Sequence, residues 1–487
     1  MTFQQIHIRV NDAATGQPTP VRLRITDAAG TYFAPYGRLT EFATGVNQDV
    51  GGNVLIGAKK WAYIDGTCEI LLPPGSLHIE IAKGPEFKPI DEDIQLRLGK
   101  MSLRFTIERW SDVRKQGWYS GDTRVHYLSP DAALLEGQAE DVAVVNLLAK
   151  VTTIEDASGE TQRAIPNILS FSGQAFARHA ADCGVAVNTH NVHRELGSLG
   201  LLHCHRIVFP LSFDNADWAL DDWCGQCHRK KGLVVWTDPK NGEPLADLIL
   251  GNVDAFELTS FEDSQFDELL DYYILLDAGL IVPLIGASGK ASNYQVLGAM
   301  RTYAHVPTDQ EFTYSNWIEA VRAGRTFVTN GPLLQFTIDG DVPSNRRQVS
   351  SGTQTLRLRA EARSLVPFDQ LEVLWSGRPI EAVQMSSNEG RHAIIEREFN
   401  VEESGWLAVY CKGKTLLPSW PAPQHVFAHT SPVFVQRADR PYQARPDAIQ
   451  ELRAKLDEML AWAQRMQSKR LMHIFEAART ELAKRLS

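Results

Sequence analysis

The sequence predicts an α/β protein in which a barrel is flanked by two β-sandwich domains and followed by a C-terminal helical segment. Three observations carry that prediction. Residues 1–110 and 333–438 alternate apolar and polar side chains with period two, residues 111–332 alternate strand-like runs with amphipathic helices, and residues 439–487 switch to helical spacing. At 487 residues the chain exceeds the size at which one hydrophobic core stops growing, so several domains are expected.

In the first segment the alternation runs through Ile6-His-Ile-Arg-Val10, Val21-Arg-Leu-Arg-Ile25, Leu77-His-Ile-Glu-Ile81 and Leu103-Arg-Phe-Thr-Ile107, separated by Gly and Pro turns. The stretches DAATGQPTPVRLRITDAAG and LPPGSLHIEIAKGPEF resemble the carboxypeptidase-regulatory type of accessory sandwich. In the second segment, helix-like runs at Ala175 to Gly184, Ala216 to Gly232 and Phe266 to Gly279 each precede an apolar strand-like run, the signature of a βα architecture. Polar residues follow the strands at Thr189-His190, Thr237-Asp238, Glu257 and Ser288-Gly-Lys290. In a (β/α) barrel the strand C-terminal ends carry the active site, so this recurrence places the chemistry. The third segment returns to period two at Leu356 to Ala360, Leu371 to Trp375 and Trp406 to Tyr410, which reads as a second sandwich. The last begins at Pro446, suited to a first helical turn, and carries Ile449, Leu452, Leu456, Met459, Leu460 and Met466 at helical spacing. It predicts a docking helix or hairpin, with a helix-mediated contact in a homo-oligomer as the alternative.

Composition excludes several function classes. The net charge of −10 works against nonspecific attraction to phosphate backbones or anionic lipid, so neither nucleic acid nor a membrane is an expected partner. The N-terminus lacks the basic region, apolar core and cleavage site of a signal peptide, and no apolar run reaches spanning length. Six irregularly spaced Cys read as reduced thiols. The expected location is cytoplasmic.

The most informative stretch is WYSGDTRVH, residues 118–126, which nearly spells a metal-binding His-x-His but holds Arg124 at the first position. A guanidinium has no free lone pair, so Arg124 cannot ligate a cation, whereas His126 can. Together with AEDVAVVNLLA, GASGKASN, GAMRTYA and WIEAVRAGRTFVTNGPLL, this stretch resembles the CehA/McbA (carbaryl-hydrolase-like) metallohydrolases of the PHP superfamily across roughly residues 100 to 335. The resemblance implies a PHP-like distorted (β/α)7 barrel whose strand ends gather His, Asp and Glu around one to three divalent metals.

Residue by residue the carry-over is mixed. His126 matches the second His of the family motif and Asp122 the acid of its Gly-Asp pair. Thr237-Asp238-Pro239 stands where the superfamily commonly places His before Pro, and Ser288-Gly-Lys290 stands where it writes Asp-x-His. With Arg124, Ser288 and Lys290 at ligand positions, at most one divalent metal is expected: zinc, manganese or iron, held by His126, Glu140, His190 and Asp238. Arg124 and Lys290 are expected to act in catalysis in place of lost cations, stabilising an oxyanion or gripping an anionic group. The alternative for Arg124 is a structural ion pair with Asp122 or another buried carboxylate. Arg301 and Asn293, close to the altered loop, are expected to bind substrate.

The resemblance therefore implies a metal-dependent hydrolase of an ester, amide, carbamate or phosphoester bond in a small molecule, anionic or sugar-like. The alternative is a non-hydrolytic lyase or isomerase, or a carbohydrate- or carboxylate-binding protein, on a degenerate metal site. The histidine-dense region 188–205 adds His193, His203 and His205, the last two facing one side if they lie in a strand. A minor alternative is a zinc deaminase-like arrangement, from His193-Arg-Glu195 and Cys224-Gly-Gln-Cys227.

Overall fold

A computed structural model describes residues 3–38, 51–155, 160–215, 218–238, 242–259, 265–352, 354–385, 390–418 and 423–486. The period-two alternation of the first segment becomes two facing sheets. One orders Thr67–Leu72, Gln4–Asp12 and Ser102–Ile107, and the other Asn53–Ile56, Lys59–Ile64, Val21–Asp27, Gly75–Ala82 and Ile90–Leu96. Ile6, Ile8 and Val10 from the first meet Leu23, Ile25 and Ile79 from the second in one core, so the predicted inward positions are the buried ones.

The central segment builds a strongly curled sheet. Strands β1 (Trp118–Val125), β2 (Val144–Ala149) and β3 (Gly184–His193) run parallel; β4 (Gly197–Leu202) folds back antiparallel on β3 and pairs antiparallel with β5 (Leu233–Thr237). Strands β6 (Ala255–Thr259) and β7 (Leu284–Ala287) continue in parallel. Just beyond β7 the chain returns to β1 through the parallel bridge Val125↔Lys290, where His126 N donates to Lys290 O at 2.8 Å. The result is barrel-like, but the β3–β4 hairpin breaks the uniform β/α succession that the resemblance implies.

Between β1 and β2, α1 (Pro130–Ala139) starts on the Ser129 cap, whose side chain accepts from Ala132 N. The outer face carries α2 (Leu220–Arg229), α3 (Glu243–Ile249) and α4 (Gln265–Asp277). The helix expected over Ala175 to Gly184 is absent. Ala177 N donates to Val185 O and Ala180 N to Cys183 O, so sheet pairing by Arg178–His179 takes the backbone groups that a helix would use.

Strand β8 (Arg301–His305) lies antiparallel to β1, and after α5 (Tyr314–Arg322) strand β9 (Thr326–Thr329) pairs with both β8 and Gln424–Thr430 of the second sandwich. One sheet therefore runs across the junction at residues 332–333. The facing sheet of that sandwich holds Leu333–Ile338, Gln354–Arg363 and His392–Val401. The C-terminal segment is a helical hairpin, α6 (Pro446–Arg465) and α7 (Lys469–Ala483), which sinks Leu452, Leu456 and Phe475 into a core shared with Trp223, Tyr272 and Trp406. Among the described residues no helix is long and apolar enough to cross a membrane. All six cysteines are free thiols.

Candidate functional site at the sheet mouth

The strand C-terminal ends bring Arg124, His126, Lys150, His190, Asp238 and Glu257 together. Arg124 is 6% exposed, with Nε 2.8 Å from Glu257 Oε1 and Nη1 3.2 Å from Asp238 Oδ1. Asp122, expected as its partner, instead closes the sheet. Its wholly buried carboxylate accepts from Ser288 Oγ, Ser288 N, Arg124 N and Gly298 N. Of the expected ion pairs for Arg124, the one with other carboxylates is the one formed.

His126 Nδ1 donates to Leu148 O at 3.0 Å, which leaves the lone pair on Nε2. His190 Nε2 lies 3.0 Å from Thr237 Oγ1, which is 2.9 Å from Ser198 Oγ, and Ser198 Oγ donates to Asp238 Oδ2 at 3.2 Å. That chain leads from a buried imidazole to a carboxylate whose side chain is 48% exposed. Lys150, at the end of β2, has no hydrogen-bond or ion-pair partner among the described residues, and its charge acts on both imidazoles.

Burial, with the fields of Lys150 and Arg124, pushes the His126 pKa down to about 3 and His190 well below its usual range, so both rings are neutral. Arg124 holds the Asp238 carboxyl below its ordinary value. Glu257 behaves oppositely: complete burial outweighs Arg124 and raises it to about 7. Burial and then Arg124 depress Lys150. The mouth thus sets two cationic side chains against one ionised carboxylate and one that titrates near neutrality.

A divalent ion does not fit the expected ligand set. Glu140 sits just before β2, at the opposite end of the strands, where its carboxylate accepts from Arg22 and from Tyr63 Oη. The carboxylates nearest His126 are already paired with Arg124. The His126 and His190 rings stack at 5.3 Å with 25° between their planes, and His190 Nε2 is already engaged by Thr237 Oγ1.

Other expected residues also lie elsewhere. Lys290 is fully buried and turns from the mouth, donating to Gln295 O at 2.8 Å and Ser292 O at 3.3 Å, with Glu136 Oε2 of α1 at 3.4 Å. Asn293 is wholly buried against the first sandwich, its carbonyl accepting from Leu55 N. Arg301 donates to Gly298 O and Glu140 O, again away from the mouth. His203 follows the end of β4 with φ 57° and meets Ser315, while His205 is exposed and bonds Lys230 O, so the two do not converge. His193 uses both nitrogens, accepting from Glu195 N and Leu196 N and donating to Asn215 O. Cys224 and Cys227 are core residues of α2, with Cys227 Sγ 3.3 Å from Cys204 Sγ and thiols pushed up by burial, which removes the deaminase-like arrangement.

Metal-ligand spacing does occur on the first sandwich, where ligand atoms of His78, Glu80 and Asp91 lie within 4.8 Å of one another. Glu80 there already pairs with Arg24 and Lys59, and His78 is 3.0 Å from Asp93. Sequence reasoning missed Lys150 as a site residue, although it directly follows a buried strand like the polar residues it did single out.

No family model and no curated protein matches the chain. Among solved structures, PsfC from Pseudomonas syringae is similar with a TM-score of 0.27 at 15% identity, over 42% of this chain and 88% of that one.

Proposed function

We propose that the sheet mouth binds a small carboxylate-bearing molecule without a metal and moves a proton on it, the non-hydrolytic lyase or isomerase alternative of the CehA/McbA resemblance. The observation that supports this reading is the Arg124 guanidinium held between Glu257 and Asp238, a fixed cation at a position where the resemblance expects a metal ligand. Lys150 and the remaining donor edge of Arg124 grip the substrate anion. His126 Nε2, the free lone pair, is the base. In the unliganded mouth burial, and after it the two cations, keep His126 a weak base, and a bound carboxylate offsets the cations' share of that effect. His126 returns the proton it takes to the same bound molecule, while the chain His190, Thr237, Ser198, Asp238 ties the neighbouring imidazole to the half-exposed carboxylate.

Elemental analysis after expression with zinc, manganese and iron, paired with thermal melts in succinate, tests the proposal. Substoichiometric metal and a succinate-dependent rise in Tm that Arg124→Gln and Lys150→Gln abolish are the expected results. One tightly bound transition metal per chain that His126→Ala removes would overturn it in favour of the metal-dependent hydrolase.

A further inference from the structure

At the far end of the strands a cavity of about 720 Å³ lies where the first sandwich, the curled sheet and the second sandwich meet. None of the mouth residues lines it. Trp61 and Phe87 come from the first sandwich, Val296 from the link between β7 and β8, and Leu365, Val366 and Leu417 from the second sandwich, so the wall is mainly apolar. The volume falls within the range that takes a small organic ligand, roughly 300–1,000 Å³.

Its floor holds two arginines in different states. Arg22 is paired with the Glu140 carboxylate and lies over the Trp61 ring at 5.1 Å. Arg301 is 4% exposed, with Nε donating to Gly298 O at 2.7 Å and Nη1 to Glu140 O at 2.9 Å, both neutral carbonyls. Among the described residues it has no ion-pair partner, and its Nη2 makes no hydrogen bond. The nearby Glu140 carboxylate is committed to Arg22 and Tyr63. Gly298, at φ +70°, permits this placement, since a Cβ there would stand 3.0 Å from Arg301 Nη2 and 2.6 Å from Val142 Cγ2.

A buried guanidinium balanced only by dipoles is costly, and a ligand that brings the counter-charge recovers that cost. We infer that this cavity is a binding site for an apolar monocarboxylate, a medium-chain or aromatic acid, whose carboxylate meets Arg301 and whose body fills the space between the two sandwiches. The site is separate from the mouth, and the proton chemistry proposed there does not bear on it.

Calorimetric titration of the whole chain with octanoate and, in parallel, 1-octanol tests the assignment. Octanoate should bind one to one and at least about tenfold more tightly than the alcohol, the margin expected of one charge-assisted contact in a mainly apolar site. Arg301→Gln should erase that margin, and Val366→Trp, which fills the cavity from its wall, should abolish binding of both. Saturating succinate should leave octanoate binding unchanged. Equal binding of acid and alcohol to the wild type, absence of binding by either, or octanoate binding that survives Val366→Trp would overturn the inference. The wild-type comparison and the Val366 variant decide it even if Arg301→Gln does not fold.

Discussion

Arg124 acts on its two carboxylate partners in opposite ways, and burial explains the difference. Asp238, half-exposed, is pulled below its ordinary pKa by the guanidinium; Glu257, fully enclosed, rises to about 7 despite the same guanidinium 2.8 Å away. A carboxyl whose folded pKa lies above its unfolded value binds its proton more tightly in the native state. Its stabilisation is therefore fully present below pH 4.5 and lost as pH rises through about 7. Glu257→Gln should flatten that part of the stability profile, so thermal melts of wild type and variant across pH 4.5–8 should converge or cross rather than run parallel. Parallel profiles would show that Glu257 does not titrate in this window. The residue type at 124 was legible in the sequence as a departure from a metal motif, but its partners were not: Glu257 stands five strands later in the chain and reaches Arg124 only because the sheet curls back on β1.

The short link after β7 is held by Lys290 against α1, and this element contact explains why the most attractive cation of the Gly-rich loop is not at the mouth. Lys290 and Glu136 are both 0% exposed and 3.4 Å apart, so each neutralises the other where water cannot. Lys290→Met should lower stability by about 3–5 kcal/mol, the usual cost of leaving one buried charge alone. The double variant with Glu136→Met should recover much of that loss, as measured by denaturant unfolding. At this scale, alternation told sandwich strands and C-terminal helices from the sequence because one face of each is buried. It misjudged Ala175 to Gly184, where apolar spacing suits a helix but the backbone pairs with β3, and it gave no sign of the β3–β4 hairpin. That hairpin is also why His203 and His205 end up far from His190: an antiparallel strand carries its last residues to the other end of the sheet.

Across the whole molecule the units do not stand as separate beads. Strand β9 pairs Phe327 with Thr430 and Thr329 with Ala428, so the curled sheet and second sandwich share hydrogen bonds across the sequence boundary at 332. The α6–α7 hairpin inserts into a core that also holds Trp223 and Trp406, tying the same two units together again. Scanning calorimetry should therefore show residues 111–486 unfolding in one transition, and cutting the chain after 332 should leave an insoluble product rather than a free barrel. A separate transition for the second sandwich would contradict this. The reading from sequence placed these boundaries by changes of rhythm, which mark where side-chain periodicity shifts and say nothing about which strands cross the join.

The junction cavity has one more consequence. No single unit supplies its whole wall, so it does not exist in any folding intermediate that has assembled only one or two of the three. A ligand of this cavity would therefore recognise the finished chain alone, and the moment of its uptake would clock the last docking step of the fold.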